Sequence, residues 1–331
     1  MLLSILKLTN GFVFTLILMY MPATLLASEQ MMPVVAGEFV MGSDKYVEDK
    51  VAGEFGNVKP WYMDEHPRHT MIVKGYELDV YEVTYAEYAE YVKAQGVMPP
   101  ENWMANGYIL SLKPEKLLAA PVAVLRKVVA QVLKLDVDSR MMEKEELLTV
   151  INERLTYMNN LPVTYVTWAN ANNYCHWQNK HLPTEAQWEK AARGKQGLEF
   201  PWGNKWVDAA SNSGSELWRD GAAPVGSYPK DKSPFGVYDM GGNVSEWVAD
   251  WYEPYPGSDY NSSDFGQKYK VARGGAWGGE GHYTLHLFYR AAYRANLDPV
   301  GTYEDVGFRC AKGGEADNAL ISRVGAVSNR E

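Results

Sequence analysis

Residues 182–189 read Leu182-Pro183-Thr184-Glu185-Ala186-Gln187-Trp188-Glu189, and this stretch predicts the start of a helix. Thr184 is suited to the N-cap, because its hydroxyl can accept a hydrogen bond from the backbone N–H of Gln187 while the Gln187 side chain reaches back. A second helix is predicted from Trp168 to Trp177. Around these two helices the sequence up to residue 313 is rich in Gly, Trp and Tyr, which indicates loops and short strands.

Further toward the N-terminus, short strands precede a third helix. Residues 37–43 predict a strand that runs into a tight turn, and residues 76–83 alternate as a half-buried strand does. Helix signals follow at once over 85–92, with Thr84 available as the N-cap. The region 33–96 is therefore predicted to hold short strands and one helix.

Residues 99–160 differ in character, because apolar side chains recur there at helical spacing. Pro114 is predicted to open one helix, and a second helix follows nearer to residue 160. The first apolar stripe consists of Leu118, Val122, Leu125, Val129 and Val132, and the second of Leu147, Ile151, Leu155 and Met158. We interpret the segment as a pair of amphipathic helices that forms either a packing hairpin or a lid.

Both ends of the chain are predicted to lie outside the folded domain. A basic residue, an apolar run at 11–20 and two small residues after it mark residues 1–27 as a secretory signal peptide. The alternative is an uncleaved membrane anchor, although the run is short for spanning about 30 Å of hydrocarbon. Residues 314–331 lack periodicity and predict a mobile tail. We expect a periplasmic or secreted protein that keeps no stable membrane anchor after cleavage.

The composition excludes several classes of function. The chain has 331 residues, of which 46% are hydrophobic, and its 32 Lys+Arg against 41 Asp+Glu give a formal net charge of -9. Nonspecific nucleic-acid binding is not expected, because no basic face would gain from phosphate neutralisation. Two cysteines cannot build a four-cysteine zinc site or an iron–sulfur centre. In an oxidising compartment they can form a lasting disulfide.

Eight short motifs occur in the order that is found in one known family. They are Gly37-Glu38-Phe39-Val40-Met41-Gly42-Ser43, Asp64-Glu65-His66-Pro67-Arg68-His69, Tyr81-Glu82-Val83-Thr84, the stretch 182–189, Pro201-Trp202-Gly203, Gly242-Asn243-Val244-Ser245-Glu246-Trp247, Arg273-Gly274-Gly275 and Gly307-Phe308-Arg309-Cys310-Ala311. In these motifs the chain resembles the formylglycine-generating enzymes, also called sulfatase-modifying factors. The resemblance implies one α+β domain over 28–313 with the variant C-type-lectin-like fold of that family, little regular secondary structure, and a helical hairpin inserted at 99–160.

The resemblance also implies two kinds of cross-link in a loop-rich core. Cys175 and Cys310 match positions that are joined by a disulfide in relatives, and the chain-entropy model gives such a bridge roughly 4–5 kcal/mol. The alternative is two free, buried thiols. A first calcium site would take the side chains of Asp239 and Glu246 and the carbonyls of Gly242 and Val244, and a second would use Asn212, Ser213, Asp220 and Ala222. Oxygen ligands of this kind suit Ca2+, but the alternative is an ordinary Gly-Asn turn with solvated acids.

The residues that perform the oxidation in that family are missing from this sequence. Formylglycine-generating enzymes hold copper(I) with two cysteines that follow the Arg-Gly-Gly motif, and soft sulfur is what selects this ion. Counting forward from Gly275 places the two positions at Gly279 and Thr284. Counting back from Arg290 places them at Gly281 and His286. Neither alternative contains a cysteine, so formylglycine synthesis by the known mechanism is not expected.

A different metal site is the hypothesis for this segment. His282 and His286 lie four residues apart with Glu280 nearby, and two histidines with a carboxylate are the ligand set of nonheme iron(II) oxygenases. Iron or copper is the expected transition metal, although two histidines at this spacing also arise by chance. Arg290 and Arg294 match the arginines below the peptide groove of the family, and we interpret them as anchors for an anionic group or as structural ion pairs.

Family members without the cysteine pair have other functions. Ergothioneine-forming sulfoxide synthases carry an iron-binding N-terminal four-helix domain, for which this sequence shows no counterpart. Another group acts in the periplasmic maturation of the siderophore pyoverdine, and a third consists of binding or scaffold proteins. We expect a nonstandard oxidative maturation factor similar to the second group. The alternative is a noncatalytic accessory protein that binds a peptide or small molecule in a groove lined by Trp247, Trp277, Tyr283 and Tyr289.

Overall fold

The computed structural model describes residues 30–45, 62–213, 221–278 and 286–314. The α-helices in these ranges are α1 (Tyr85–Gln95), α2 (Asn102–Ala105), α3 (Pro114–Ala119), α4 (Val122–Lys127), α5 (Lys144–Asn159), α6 (Trp168–Trp177) and α7 (Glu185–Arg193). The strands are β1 (Met31–Val34), β2 (Gly37–Met41), β3 (His69–Val73), β4 (Tyr76–Asp79), β5 (Ser245–Trp251), β6 (Lys270–Arg273), β7 (Arg294–Leu297), β8 (Val306–Gly307) and β9 (Ala311–Lys312). Turns of 3₁₀ helix lie at Met63–Glu65, Tyr108–Leu112 and His286–Tyr289, and a π-helical turn lies at Val128–Val132. Helices and short strands are mixed along the chain and joined by long loops, as predicted for an α+β fold.

The strands form three small sheets. In the first sheet β4 is central, and β1 and β9 pair with it in antiparallel fashion on its two sides. β2 and β3 form an antiparallel pair. The third sheet has the order β7-β6-β5-β8, and its β5–β8 pair is parallel. Strands from the two ends of the described chain therefore meet on β4.

The helix starts that were predicted from capping residues are confirmed. The Thr184 hydroxyl accepts from the N–H of Gln187 at 3.2 Å, and Gln187 Oε1 accepts from the N–H of Thr184 at 2.8 Å, so α7 begins with a capping box. Thr84 caps α1 in the same way, together with Glu87. α1 stops at Gly96, which adopts the left-handed conformation with φ 64°. α6 has the bounds that the sequence predicts.

The first of the two predicted amphipathic helices is shorter than its apolar pattern indicates. α3 stops before Pro121, because a residue that precedes proline is driven out of the helical region, and Ala120 is extended with φ -69° and ψ 142°. The chain restarts as α4 and runs into the π-helical turn. Of the predicted stripe, Leu125 and Val129 are buried, whereas Leu118 is 61% exposed. The second stripe lies on α5 and is buried as predicted.

The inserted segment (residues 99–160) packs into the main core. Its buried side chains, Trp103 among them, join one apolar cluster with residues of α1, α6 and the chain before β9. The ring centroid of Trp103 lies 5.3 Å from that of Tyr85 and 6.2 Å from that of Tyr88, and both tyrosines lie on α1. The segment is therefore part of a packed core and not a lid over it.

The predicted disulfide between Cys175 and Cys310 is present. Both half-cystines are fully buried, and their Cα atoms lie 5.6 Å apart. The bridge joins α6 to the chain just before β9 across 135 residues of sequence. It thus links the middle of the chain to the last part of the fold.

The predicted signal peptide (1–27) and the predicted tail beyond Gly314 lie outside the described residues. Within the described ranges, none of the helices combines the length and the apolar character that crossing a bilayer requires.

Candidate functional site

The N-terminal half of α7 anchors a network of buried ion pairs. Glu185 and Glu189 lie about one turn apart on α7, and Arg273, at the end of β6, donates to both of them. Arg273 Nη1 lies 2.9 Å from Glu185 Oε1. Burial opposes ionisation of Glu189, but Arg273 and Arg193 outweigh this effect and lower the pKa of Glu189. The motif at 182–189 and the Arg273-Gly274-Gly275 motif are therefore joined by buried ion pairs.

Arg290 and Arg294 both form buried ion pairs, which agrees with the structural one of their two interpretations. Arg290 donates to both oxygens of Glu65 at 2.7 and 2.6 Å, and its guanidinium carbon lies 3.9 Å from the ring centroid of Tyr62. Arg294 donates to both oxygens of Glu185 at 2.6 and 2.9 Å. Both arginines are buried. Each two-pronged pair engages two N–H groups of its guanidinium with one carboxylate.

Four buried carboxylates share one arginine near the start of β5. Arg309 donates to both oxygens of Glu246 at 2.7 Å. Burial, with added repulsion from Asp239, raises the pKa of Asp231 and of Glu82 well above the usual range. Burial also raises the pKa of Asp239 to about 6. Glu82 Oε2 has no hydrogen-bond partner among the described residues and lies 4.0 Å from Arg309 Nη2. Negative charge is therefore in excess here, which favours the uptake of a proton or a cation.

The first predicted calcium site fits its residues only in part. The carboxylate of Asp239, a residue with φ 59°, accepts from the N–H of Gly226. Both oxygens of Glu246 are occupied, because Trp188 Nε1 donates to Oε2 at 2.9 Å in addition to the two bonds from Arg309. A calcium ion at Glu246 would have to share these oxygens with the Arg309 guanidinium, whose positive charge opposes it.

Of the other residues predicted to bind calcium, Gly242 and Asn212 lie next to each other. Gly242 packs closely on Asn212, since a Cβ at Gly242 would stand 2.7 Å from the Asn212 carbonyl oxygen. The Ser213 carbonyl accepts from the Tyr289 hydroxyl at 2.6 Å. The remaining predicted ligands are Val244, Ala222 and Asp220, of which Asp220 lies outside the described residues. In the part of the chain that the structure describes, no three or more His, Cys, Asp or Glu side chains are grouped to hold a metal ion.

Two of the residues predicted to line a groove belong to the core instead. Trp247 is fully buried on β5, and its Nε1 donates to a backbone carbonyl at 3.1 Å. Tyr289 is 2% exposed, and its hydroxyl is bonded to two backbone carbonyls. Trp277 is half-buried, and its Nε1 is shielded from solvent with no acceptor among the described residues. The fourth residue, Tyr283, lies outside the described ranges.

Of the predicted transition-metal ligands, the structure describes His286, whereas Glu280 and His282 lie outside the described residues. His286 is exposed, and its ring stacks on Trp206 with the centroids 4.1 Å apart and the planes at 14°. It makes no hydrogen bond with another described residue. Trp206 packs on further aromatic rings, which hold it in place. Sequence reasoning did not single out Trp206, although an aromatic residue just after the Pro-Trp-Gly motif was the available signal.

The chain is similar in sequence to known proteins along most of its length. Residues 20–313 match the sulfatase-modifying factor enzyme 1-like domain. The formylglycine-generating enzyme of Mus musculus is 30% identical over 305 residues, which cover 86% of this chain and 76% of that enzyme. The inactive C-alpha-formylglycine-generating enzyme 2 of Bos taurus is 34% identical over 177 residues, which cover 49% of this chain and 52% of that protein.

The fold is also similar to solved structures. PvdO from Pseudomonas aeruginosa aligns with a TM-score of 0.52 at 25% identity, over 85% of this chain and 93% of PvdO. The Treponema denticola variable protein 1 aligns with the same TM-score of 0.52 at 19% identity, over 85% of this chain and 94% of that protein, and shows a likeness of fold alone. The predicted variant C-type-lectin-like fold is thereby confirmed.

Proposed function

The chain belongs to the sulfatase-modifying factor enzyme 1-like family, and we propose that it is an exported member without copper-dependent formylglycine synthesis. One observation carries this proposal, namely that Cys175 and Cys310, the two cysteines of the sequence, are joined in a fully buried disulfide. No thiol remains to bind copper(I) beside a substrate thiolate. The relative from Bos taurus that is called inactive supports the idea that the scaffold is used without this activity.

Export to the periplasm or beyond is supported by the same disulfide. Disulfides persist in oxidising compartments and are rare in the cytosol. The apolar N-terminal run at 11–20 supports it further, since a signal peptide requires such a run.

We expect the purified chain to leave a Cys-x-Pro-x-Arg peptide unconverted in the presence of copper(I) and oxygen. The reason is that no thiolate pair can hold the metal next to the substrate. Mass spectrometry of the peptide measures the conversion of its cysteine to formylglycine. A formylglycine-generating enzyme that has both cysteines serves as the positive control, and conversion above the protein-free background would contradict the proposal.

The proposed activity is oxidative maturation of a peptide or small molecule at a transition-metal site made of Glu280, His282 and His286. His286 supports this role, because it is exposed, forms no hydrogen bond with another described residue, and is oriented by its stacking on Trp206. The chain also shares its fold with PvdO over most of both chains. Bound iron or copper would supply the redox chemistry, while these side chains would bind and orient the ion.

Metal analysis of the purified protein tests this site. We expect about one equivalent of iron or copper in the wild type and loss of most of it in His286→Ala, because one imidazole ligand is removed. His176→Ala, which removes another exposed histidine, should retain the metal. Finding calcium alone would contradict the transition-metal site. It would support the separate proposal of structural calcium at Asp239, Gly242 and Val244, with or without Glu246, and at Asn212, Ser213, Asp220 and Ala222.

A noncatalytic accessory protein is the second candidate, and Trp277 favours it. Its buried indole N–H has no acceptor among the described residues, and a bound peptide or small aromatic ligand can supply one. The metal analysis separates the two roles. A bound transition metal supports the oxidative role, whereas a protein that binds no transition metal but retains a ligand through Trp277 is an accessory protein.

A further inference from the structure

The inserted segment presents a large share of the exposed apolar side chains. Of the eleven large hydrophobic residues that are exposed in the described chain, six lie in this segment, namely Met104, Leu118, Val124, Val137, Met141 and Tyr157. The segment contributes about one quarter of the residues that the structure describes. Exposed apolar side chains are therefore more frequent in this segment than in the rest of the described chain, and a partner that covered them would bury apolar surface.

The charges of the inserted segment are balanced in total but separated along its sequence. It holds 8 basic and 8 acidic residues, in a chain whose net charge is -9. Residues 113–134, the basic stretch, contain 5 basic residues and 1 acidic residue. Residues 135–160, the acidic stretch, contain 6 acidic and 3 basic residues. The segment is therefore a neutral region with a positive half and a negative half.

Charged side chains in both halves are available for an outside partner. Lys116, Lys127 and Lys134 of the basic stretch are exposed, as are Glu145 and Glu153 of the acidic stretch. None of these five side chains forms an ion pair or a hydrogen bond with another described residue. The two stretches are neighbours in space, because α4 and the π-helical turn pack against α5.

We propose that the inserted segment binds a second copy of this chain, with the basic stretch of each protomer facing the acidic stretch of the other. A surface that carries one patch of each sign is complementary to itself when a two-fold axis pairs the patches, and the exposed apolar side chains are buried between them. The neutral segment also lets two copies of an acidic protein approach without net repulsion. An anionic lipid surface would attract the basic stretch but repel the acidic one.

Sedimentation equilibrium of the full chain over a range of concentrations and salt tests the dimer. One variant reverses the basic stretch (Lys116→Glu, Lys127→Glu and Lys134→Glu) and the other reverses the acidic stretch (Glu145→Lys and Glu153→Lys). We expect a wild-type dimer that weakens with added salt, and a dissociation constant raised at least about tenfold in each variant, because like charges then face each other. An equimolar mixture of the two variants should restore the dimer, since opposite charges again face each other in the mixed pair.

Exposed lysines outside the inserted segment provide the matched control. Lys205→Glu with Lys230→Glu changes the net charge without touching the segment and should dimerise as the wild type does. The far-ultraviolet circular dichroism of each variant checks that it is folded, and the single changes Lys127→Glu and Glu153→Lys give the same test if a multiple variant unfolds. The proposal would be overturned if the wild type stays monomeric. This includes the outcome in which the monomer co-sediments with phosphatidylglycerol vesicles. A mixture of variants that remains monomeric would overturn it as well.

Discussion

Replacing Arg309 with methionine is expected to lower the free energy of unfolding by about 3 to 5 kcal/mol, which is the range for breaking one side of a buried ion pair. Arg309 is fully buried and donates to both oxygens of Glu246, so its loss leaves that carboxylate charged and unpaired. It also donates to the backbone carbonyls of Asp79, Val80 and Tyr238, which would lose these bonds. Chemical denaturation with urea measures the change.

Two further variants show whether burial is the cause. Arg140→Met removes an arginine from an ion pair with Asp138 in which both side chains are largely exposed, and its stability should match that of the wild type. Glu246→Gln combined with Arg309→Met should recover part of the loss, because it removes the unpaired charge and keeps an oxygen for Trp188 Nε1. An Arg309→Met protein that loses less than about 1 kcal/mol would show that the carboxylates are held neutral without the arginine.

Removing the disulfide is expected to have an effect of similar size. Cys175→Ala with Cys310→Ala should lower the free energy of unfolding by about 3 to 5 kcal/mol, because a cross-link over 135 residues restricts the unfolded chain strongly. Denaturation with guanidinium chloride in the absence of reductant measures it.

The single variants provide the control for the disulfide. Cys175→Ala and Cys310→Ala should each cost about as much as the double variant, because either change removes the whole bridge. If the losses of unfolding free energy in the two single variants instead add up to the loss in the double variant, the packing of each sulfur, and not the bridge, stabilises the fold.

The sequence predicted best those elements that a few neighbouring residues determine. The capping boxes at Thr84 and Thr184 require partners three residues away, so both helix starts are visible in the sequence and both are confirmed. The disulfide was implied by motif resemblance, and it too is present. The apolar stripe on α5 is buried for the same local reason, since helical periodicity alone selects one face of an uninterrupted helix.

The interruption at Pro121 explains why the other stripe was partly wrong. Apolar spacing gives the period of a helix, but a break removes the fixed phase between the residues before it and the residues after it. Leu117 is 6% exposed and Leu118 is 61% exposed. Before the break, Leu117 is therefore buried in place of Leu118, which an unbroken helix would bury. The exposed Leu118 then becomes part of the surface proposed to bind a second copy.

Charge pairing over long separations could not be predicted from one sequence. Arg290 is 225 residues from Glu65, and Arg294 is 109 residues from Glu185. From the sequence alone, an arginine that binds a ligand cannot be distinguished from one that pairs with a distant carboxylate of its own chain. The Gly-Phe-Arg-Cys motif held a usable hint, because a charge embedded in an apolar motif must be paired if it is buried, as Arg309 is.

The position of β4 between strands from the two ends of the described chain has a consequence for biosynthesis. Until the last part of the domain is synthesised, β4 lacks one neighbouring strand, Glu246 lacks the guanidinium that neutralises it, and Cys175 lacks its partner sulfur. Arg309, Cys310 and β9 supply all three within residues 309–312. A nascent polypeptide therefore lacks all three of these contacts until residues 309–312 have been added. A chain truncated before these residues keeps an open strand edge and an unpaired buried charge, which leaves it to chaperones and proteases.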